Sequence, residues 1–546
     1  MTDLGAIPFA ETPLIINPQM EREVSPILLE VYSNRFSHIA EEMGAVLQRT
    51  AFSPNIKERR DFSCAIFDRE GNLVAQAAHI PVHLGSMPLS VKAAIDKYSP
   101  RGFAEGDIVV LNDPYKGGTH LPDITMVAPV FYGGELLFFV ANRAHHADVG
   151  GSSAGSMPLS RSLFEEGIVI PPVKLVEEGK LNKDLLEFFL NNVRNPSERE
   201  GDFSAQMSAI NVGIKRLKEL LDKHSPREVL KYTSALMDYA EKLTGEFIKT
   251  LPKERGYFED FLEDDGFGTE NVKIAVEVYR EGESLVFDFS GSDPQVVGPF
   301  NAVEAITLSA VLYAIRALAE HRLGTPIPTN GGILRRVKLV APSGKVVNAR
   351  FPAAVAGGNV ETSQRIVDVV LGAFSKLLPE IVPAASQGTM NNLTVGGVNP
   401  ETGETFTYYE TIGGGMGAWS GGDGESAIHS HMTNTLNTPV EALEFAYPLM
   451  VREYSIRRGS GGEGLFRGGD GMVREIELLA DAEVTILSER RKLPPYGLFG
   501  GKPGEVGRNF VNGKPVGGKF HSFLPKGSVI RIETPGGGGW GNKETD

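Results

Sequence analysis

Glycine is distributed very unevenly along the chain, and this distribution constrains the fold of the last third. Of the 63 glycines in 546 residues, 32 lie in residues 388–546 and 31 in residues 1–387. No Gly-X-Y period and no matching proline content accompany them, so a collagen-like fibre is excluded. Glycine permits tight turns and close approach of backbones. The pattern predicts a folded, turn-dense region in which short strands alternate with glycine clusters.

The rest of the composition is that of a folded protein and excludes several classes. Hydrophobic residues make up 41% of the chain and charged residues 23%, close to the globular average. The net charge of −15 argues against a nucleic-acid partner, because phosphate binding needs surplus Lys and Arg. Cys64 is the single cysteine, and its apolar strand pattern favours a core residue over a nucleophile. A signal peptide and a membrane-spanning apolar run are both missing, which predicts a cytoplasmic protein without a membrane partner.

Hydrophobic periodicity predicts a multi-domain α+β protein built from antiparallel β-rich layers. Ser25 and Pro26 predict the start of a long first helix, and Gly71–Asn72 predicts the turn of a hairpin. Residues 181–250 have strong helical periodicity. We predict four regions: an α+β metal-site region at 1–180, a helical segment at 181–255, an α/β segment at 256–387 and a glycine-rich β/loop lobe at 388–546.

Histidines cluster in one part of the N-terminal region. Five of the 11 fall within 68 residues, namely His79, His83, His120, His145 and His146. A long hairpin with its turn at Gly133–Gly134 brings some of them together, since the numbers of opposing residues sum to about 267 there. This arithmetic places Asp123 opposite residue 144 and His145 opposite residue 122. Imidazoles and carboxylates therefore meet at one end of the hairpin.

Two interpretations of this cluster remain open. Imidazole and carboxylate without thiolate suit a divalent ion such as Mn, Zn or Fe. A solvated hydrogen-bond network of His and Asp would show the same spacing. Other motifs are missing: the chain has no G-x-x-x-x-G-K-[ST] phosphate loop, and no helical pattern follows the glycine run near Gly413. The pair His429 and His431 lies in a polar segment and does not predict a stand-alone amidohydrolase.

Several segments, taken in order, resemble the hydantoinase B/oxoprolinase family. They are RRDFSC, NDPYKGGTHLPD, RAHHADVGG, GGNVETSQRIVD, YYETIGGGMGA and TPGGGGWGN, and the resemblance extends along nearly the whole chain. It implies the second subunit of an ATP-dependent hydantoinase, N-methylhydantoinase, 5-oxoprolinase or lactamase. The family is also related to subunits of acetone and acetophenone carboxylases.

The resemblance further implies partners and site residues. A hydantoinase A type subunit would bind ATP with Mg, in an A2B2 complex. A divalent metal, Mn or Zn, would be held by Asp61, His120, Asp123 and His145. His146 and Asp148 adjoin these ligands in sequence and are candidate catalytic residues that move protons or orient a ligand. For both residues, a structural hydrogen bond is an equally good interpretation.

On this interpretation, the chain is the metal-binding subunit of an enzyme that opens a ring C–N amide bond. The carbonyl oxygen would first be phosphorylated, because an unstrained amide resists attack by water. Two alternatives remain: a subunit of an ATP-dependent ketone carboxylase, and a non-catalytic structural subunit. The chain length favours the hydrolase over the carboxylase. Which cyclic amide is the substrate, whether a hydantoin, 5-oxoproline or a lactam, does not follow from the sequence.

Overall fold

The computed structural model of the chain describes residues 24–543. The prediction that the chain lacks a signal peptide concerns its N-terminal residues. Almost all of these lie outside the described residues. Within residues 24–543, no helix combines the length and the apolar character needed to cross a membrane. The helices are α1 (Pro26–Thr50), α2 (Pro54–Lys57), α3 (Ser86–Tyr98), α4 (Leu163–Glu166), α5 (Lys183–Leu190), α6 (Pro196–Lys223), α7 (Pro226–Thr250), α8 (Glu304–Leu323), α9 (Ser363–Phe374) and α10 (Val440–Ala446).

The three longest helices, α1, α6 and α7, begin in the same way. Ser25, Asn195 and Ser225 act as N-caps, each accepting a hydrogen bond from the backbone three residues on. A proline follows each cap, where its missing N–H costs nothing. The predicted start of the first helix is confirmed.

The N-terminal sheet is antiparallel and covered by helices on both faces. Its strands are β1 (Phe62–Asp68), β2 (Leu73–Gln76), β3 (Ile108–Leu111), β4 (Asp123–Tyr132), β5 (Glu135–His145), β6 (Val173–Glu177) and β7 (Lys180–Leu181). They are arranged in the order β2-β1-β5-β4-β3-β6-β7. Helices α1 and α6 pack on the face that carries Cys64, and α3 packs on the face that carries Phe67. Cys64 is a buried core residue, as predicted.

A smaller sheet in the middle of the chain packs against α9. Its strands are β8 (Gly256–Asp264), β9 (Glu270–Glu281), β10 (Ser284–Asp288) and β11 (Val337–Val340), in the order β11-β10-β9-β8. Strands β9 and β10 pair antiparallel around a turn at Gly282. One hydrophobic cluster, from Tyr32 to Leu487, joins this sheet to the N-terminal sheet and its helices. The four regional boundaries stay predictions.

The C-terminal region contains two antiparallel sheets with a core of their own. The first has the order β13-β12-β16-β19 and the second the order β14-β15-β20-β17-β18. The strands are β12 (Asn392–Val398), β13 (Thr405–Glu410), β14 (Leu449–Arg457), β15 (Gly471–Leu478), β16 (Ala482–Leu487), β17 (Arg508–Val511), β18 (Lys514–Val516), β19 (Lys519–Leu524) and β20 (Val529–Glu533). The molecule is thus a multi-sheet α+β protein, as predicted.

Between these sheets, four glycine-rich segments pack backbone against backbone. We call residues 413–417, 459–471, 497–504 and 535–541 the glycine bundle. Gly469 N–H donates to the Met416 carbonyl at 2.8 Å, and Gly537 N–H donates to the Gly469 carbonyl at 2.9 Å. A Cβ added at Gly469 would lie 1.8 Å from the Glu425 carbonyl oxygen. These glycines therefore do more than form turns: they allow neighbouring segments to come within hydrogen-bonding distance.

Candidate metal centre

The hairpin of β4 and β5 places Asp123 directly opposite His145. Gly133 and Gly134 form its turn with φ values of 60° and 86°, a backbone conformation that glycine adopts easily. The sequence-based register placed Asp123 opposite residue 144, and this was wrong by one residue. The pairing shifts at an irregularity between Val130 and Phe131, since a bulge inserts one unpaired residue. The shift brings the two side chains onto the same side of the hairpin.

His120, Asp123 and His145 form a compact buried set. Their potential ligand atoms all lie within 4.8 Å of one another. Asp123 Oδ1 is 3.2 Å from His120 Nε2 and 3.2 Å from His145 Nδ1. Burial alone would raise the pKa of Asp123, but the neighbouring histidines hold this pKa well below its usual range. The carboxylate is therefore ionised, as a metal ligand must be.

The backbone around residue 356 fixes the tautomer of His120. Its Nδ1 lies 3.2 Å from the Ala356 carbonyl oxygen, which can only accept a hydrogen bond. Nδ1 therefore carries the proton, and the lone pair of Nε2 faces Asp123 and the Asn359 amide. The buried Glu166 carboxylate accepts hydrogen bonds from the Ala356 and Val355 N–H groups at 2.9 and 2.8 Å. Glu166 thus holds the backbone that orients His120.

His145 presents a nitrogen that the described residues leave unsatisfied. Its ring stacks on Tyr409 with centroids 4.4 Å apart and planes inclined by 14°. Its Nε2 atom is buried and has no hydrogen-bond partner among residues 24–543. Burial lowers the pKa of His145, which keeps the ring neutral and able to coordinate an ion. The other ring nitrogen, Nδ1, lies 3.2 Å from the Asp123 carboxylate, so a closed hydrogen-bond network would leave Nε2 empty. An open imidazole nitrogen in such a set fits a divalent cation better than it fits a hydrogen-bond network alone.

Asp61 lies on the wall of the same cavity but outside the compact set of three. Its carbonyl oxygen accepts a hydrogen bond from His145 N–H at 3.0 Å, which fixes the position of the residue beside the set. Its carboxylate is 3.8 Å from the buried Arg59 guanidinium. Burial raises the pKa of Asp61, while His145 and Arg59 oppose that rise. Asp61 is thus a second acidic group, and a fourth candidate ligand, on the wall of the cavity.

The cavity lined by Asp61, Asp123 and His145 has a volume of about 20 Å³. That is enough for one water molecule or one ion, which needs about 10–15 Å³ on this scale. Besides the ionisable residues, its wall is mostly apolar and threonine side chains, including Val82, Val360 and Met432. Bulk water is therefore kept from the ligand atoms.

His83 is a site residue that the sequence reasoning noticed in the histidine cluster but did not assign. Its Nε2 lies 3.3 Å from Asp123 Oδ2, and its Nδ1 lies 2.8 Å from Ser63 Oγ. Thr119 Oγ1 donates to the same Asp123 oxygen at 2.5 Å. These two contacts to Oδ2 fix the orientation of the Asp123 carboxylate. The signal for His83 in the sequence was its place among the five histidines that fall within 68 residues.

His146 and Asp148 are placed away from the cavity wall. His146 Nε2 donates to Gln206 Oε1 at 2.9 Å, and burial lowers the pKa of this histidine to about 4. The Gln206 amide in turn donates to the Ile124 carbonyl at 2.9 Å, next to Asp123. The Asp148 carboxylate binds the backbone N–H and the guanidinium of Arg194. Their catalytic assignment stays a prediction.

Comparison with known proteins gives concordant results along the whole described chain. The hydantoinase B/oxoprolinase family model matches residues 25–543. An uncharacterized protein of Methanocaldococcus jannaschii is 42% identical over 523 residues, covering 94% of this chain and 90% of that protein. The 5-oxoprolinase of Dictyostelium discoideum is 43% identical over 536 residues, covering 96% of this chain. The match covers only 41% of that relative, so this chain spans less than half of its length.

Two solved structures share the fold. The ATP-dependent caprolactamase from Pseudomonas jessenii superposes with a TM-score of 0.85 at 30% identity, covering 95% of this chain and 91% of the other. Nucleotide-free acetone carboxylase superposes with a TM-score of 0.86, covering 95% and 76% of the two chains. The identity to the carboxylase is 19%, so this likeness concerns the fold alone. From the family match and these relatives, the chain belongs to the hydantoinase B/oxoprolinase family.

Proposed function

We propose that the chain is the metal-binding subunit of an ATP-dependent cyclic amide hydrolase, which opens a ring C–N amide bond after phosphorylation of the carbonyl oxygen. The observation that supports this most is the buried set of His120, Asp123 and His145, with an unpartnered nitrogen on His145. Relatives named 5-oxoprolinase and caprolactamase support the reaction class.

The proposed ligands are the compact set of three together with Asp61. Imidazole and carboxylate without thiolate suit Mn or Zn. When bound, such an ion would polarise an oxygen and lower the pKa of a coordinated water to about 7. Tyr409 holds the His145 ring by stacking, and Ala356 holds the His120 ring by its carbonyl. The residues of this chain thus set the geometry before substrate arrives.

ATP with Mg would be bound mainly by a hydantoinase A type partner, in an A2B2 complex. The γ-phosphate moves to the carbonyl oxygen of the amide and ADP leaves. Water then adds to the carbon, and the ring nitrogen takes a proton as the C–N bond breaks. A second water releases phosphate from the remaining acyl phosphate, which leaves the open-chain amino acid. Candidate substrates are hydantoins, 5-oxoproline and lactams.

His146 is proposed to act on this reaction by positioning. Through Gln206 it holds the Ile124 carbonyl, and that residue follows Asp123 in β4. The proposed role of Asp148 is to fix the loop after β5 through its bonds to Arg194. Neither side chain lines the cavity, so direct proton transfer by them would need a movement of the loop.

A paired substitution tests the proposal. Asp123→Asn removes the central negative charge and is expected to abolish bound Mn or Zn, measured by elemental analysis of the purified complex. Lactam-dependent ATP hydrolysis is expected to fall at least a hundredfold. Asp107→Asn is the matched control, since Asp107 is equally buried but pairs with Lys174. Its metal content should equal that of the wild type.

Two outcomes would contradict the proposal. If Asp123→Asn keeps full turnover, the chain is a structural subunit rather than the metal-binding one. If turnover requires bicarbonate and yields a carboxylated product, the enzyme is a carboxylase. Ring opening without bicarbonate, lost in Asp123→Asn and kept in Asp107→Asn, supports the hydrolase.

A further inference from the structure

A second, much larger cavity adjoins the metal centre. Its volume is about 500 Å³, and its wall combines α8 with the segment from Ile428 to Asn434. Most of the wall is apolar or aromatic, with Tyr313, Leu318, Leu371 and Trp419 among its members. The proposed function assigns no role to this larger cavity.

A thin wall separates the two cavities. His431 faces the larger cavity, Met432 faces the metal cavity, and Thr433 lines both. On the other side of the wall, Pro81 lines the larger cavity and Val82 the smaller. The two segments are tied together by a hydrogen bond from Val82 N–H to the Met432 carbonyl at 3.2 Å. The larger cavity therefore meets the metal centre across a single layer of residues.

Because the two cavities differ in size, they have room for different occupants. The metal cavity, at about 20 Å³, has room for an ion or a water but not for a ring. The larger cavity falls within the range of about 300–1,000 Å³ that is typical of small-molecule sites. The larger cavity therefore has room for a cyclic amide, whereas the metal cavity does not.

Polar groups in this cavity are few and incompletely satisfied. His431 Nδ1 is 3.3 Å from the Tyr313 hydroxyl, whereas its Nε2 is buried, has no hydrogen-bond partner among the described residues and lies 3.7 Å from the Asp368 carboxylate. The backbone of His431 has φ 59°, which is unusual for a residue with a side chain. Strain of this kind clusters at ligand sites, where the fold holds a side chain in a fixed place.

We propose that this larger cavity binds the ring of an uncharged cyclic amide, with the amide directed toward His431 and Thr433. The inference rests on the proposed function and narrows its substrate class. Trp419 and Leu318 would contact the ring methylenes, and His431 would exchange a hydrogen bond with the amide. Thr433, which lines both cavities, marks the side of the larger cavity that lies nearest to the metal centre.

The charge of the wall argues for an uncharged ring. Among residues 24–543, no Lys, Arg, Asp or Glu lines the cavity, and its basic side chains are His321, His429 and His431. Burial lowers the pKa of His429 to about 4 and also lowers that of His431, so both are neutral near pH 7. His321 lies at the exposed rim, edge-on to Trp419. A carboxylate carried by the ring would find no fixed positive charge inside the cavity.

Trp419 offers a direct readout, because the chain has only two tryptophans. In a Trp540→Phe background, the emission reports Trp419 alone. Titration of the full chain with ε-caprolactam is expected to change this emission saturably. 5-Oxoproline, which carries a carboxylate, should bind at least tenfold more weakly. Ala317→Phe, which fills the cavity from α8, should weaken caprolactam binding at least tenfold, whereas the matched Ala317→Ser should leave it unchanged.

The complex with the partner subunit supplies a second measurement. Ala317→Phe is expected to raise KM for caprolactam at least tenfold relative to Ala317→Ser. The proposal is overturned if both variants give the same binding and the same KM, or if 5-oxoproline binds as tightly as caprolactam. Asp123→Asn separates this inference from the proposed function: it should abolish turnover but leave caprolactam binding intact. Turnover by Asp123→Asn would refute the function and leave the cavity assignment standing.

Discussion

The metal cavity and the glycine bundle are held together by different chemical groups. At the metal cavity, side chains make the contacts, and three histidines lie within 3.3 Å of the Asp123 carboxylate. In the glycine bundle, backbone N–H and carbonyl groups of distant segments bond directly to one another. One region depends on which side chains are present, and the other depends on side chains being absent.

This difference predicts how each region responds to substitution. At the metal cavity, a lost functional group can leave the fold intact, because the surrounding β4 and β5 backbone pairing does not involve it. In the glycine bundle, even one added methyl group meets backbone atoms that cannot rotate away. Substitutions at the metal cavity should therefore impair function before they impair folding. Substitutions in the glycine bundle should impair folding first.

The largest effect on stability is expected from Gly469→Ala. The new Cβ would lie 1.8 Å from the Glu425 carbonyl oxygen, so the segment that contains Glu425 must move away from the bundle. We expect a loss of more than about 4 kcal/mol in the free energy of unfolding, measured by denaturant titration. Gly517→Ala is the matched control, because its Cβ would have no contact closer than 3.7 Å. Equal stability of the two variants would show that the bundle tolerates side chains.

A pH-dependent effect is expected at Glu361, which bonds to Met390 in the wall of the metal cavity. Its Oε1 accepts hydrogen bonds from Met390 N–H and the Asn392 amide at the start of β12. Burial raises the pKa of Glu361 to about 7. Folding thus favours the protonated form, so the stability that it contributes is complete below about pH 4.5 and is lost as the pH rises through 7.

Glu361→Gln is expected to remove this part of the pH dependence. Each unit of pKa shift corresponds to about 1.4 kcal/mol, so the slope between pH 5 and 7 should be measurable by thermal unfolding. Metal content should stay unchanged in the variant. An identical pH slope in wild type and variant would contradict the assignment to Glu361.

Glu166→Gln tests how far metal binding depends on the orientation of the His120 ring. The carboxylate holds the backbone that fixes the His120 tautomer, and its loss should weaken metal affinity about 10- to 100-fold. Metal titration by calorimetry measures this. Glu165→Gln serves as the control, since its side chain bonds to the Arg161 backbone instead. Unchanged affinity in Glu166→Gln would show that His120 is oriented without it.

The smallest effect is expected from Tyr409→Phe. The variant keeps the stack on His145 but loses the hydroxyl that donates to Asn392 Oδ1 at 2.9 Å. We expect a loss of about 1 kcal/mol in stability, with metal affinity unchanged within twofold. Thermal unfolding and metal titration give the two numbers. A large loss of metal binding would show that the hydroxyl, rather than the ring, supports His145.

Local patterns predicted much of the fold because they depend on neighbouring residues. The cap at Ser25 and the turn at Gly133–Gly134 are fixed by backbone preferences within a few positions. The hairpin then predicted that Asp123 and His145 meet, although the bulge after Val130 shifted their register by one. A bulge has no clear signal in an apolar strand, so its position emerged only from the packing of the sheet.

The α+β pattern, the family resemblance and the candidate ligands could all be predicted before the structure, because each rests on residue types and short spacings. Only the tertiary structure showed that Tyr409, almost 300 positions beyond Asp123, stacks on His145. The glycine-rich segments likewise predicted turns, yet their backbones meet to form a bundle. Contacts between distant segments are set by the packing of whole layers, and so neither the stacked ring nor the second cavity could be inferred from local patterns.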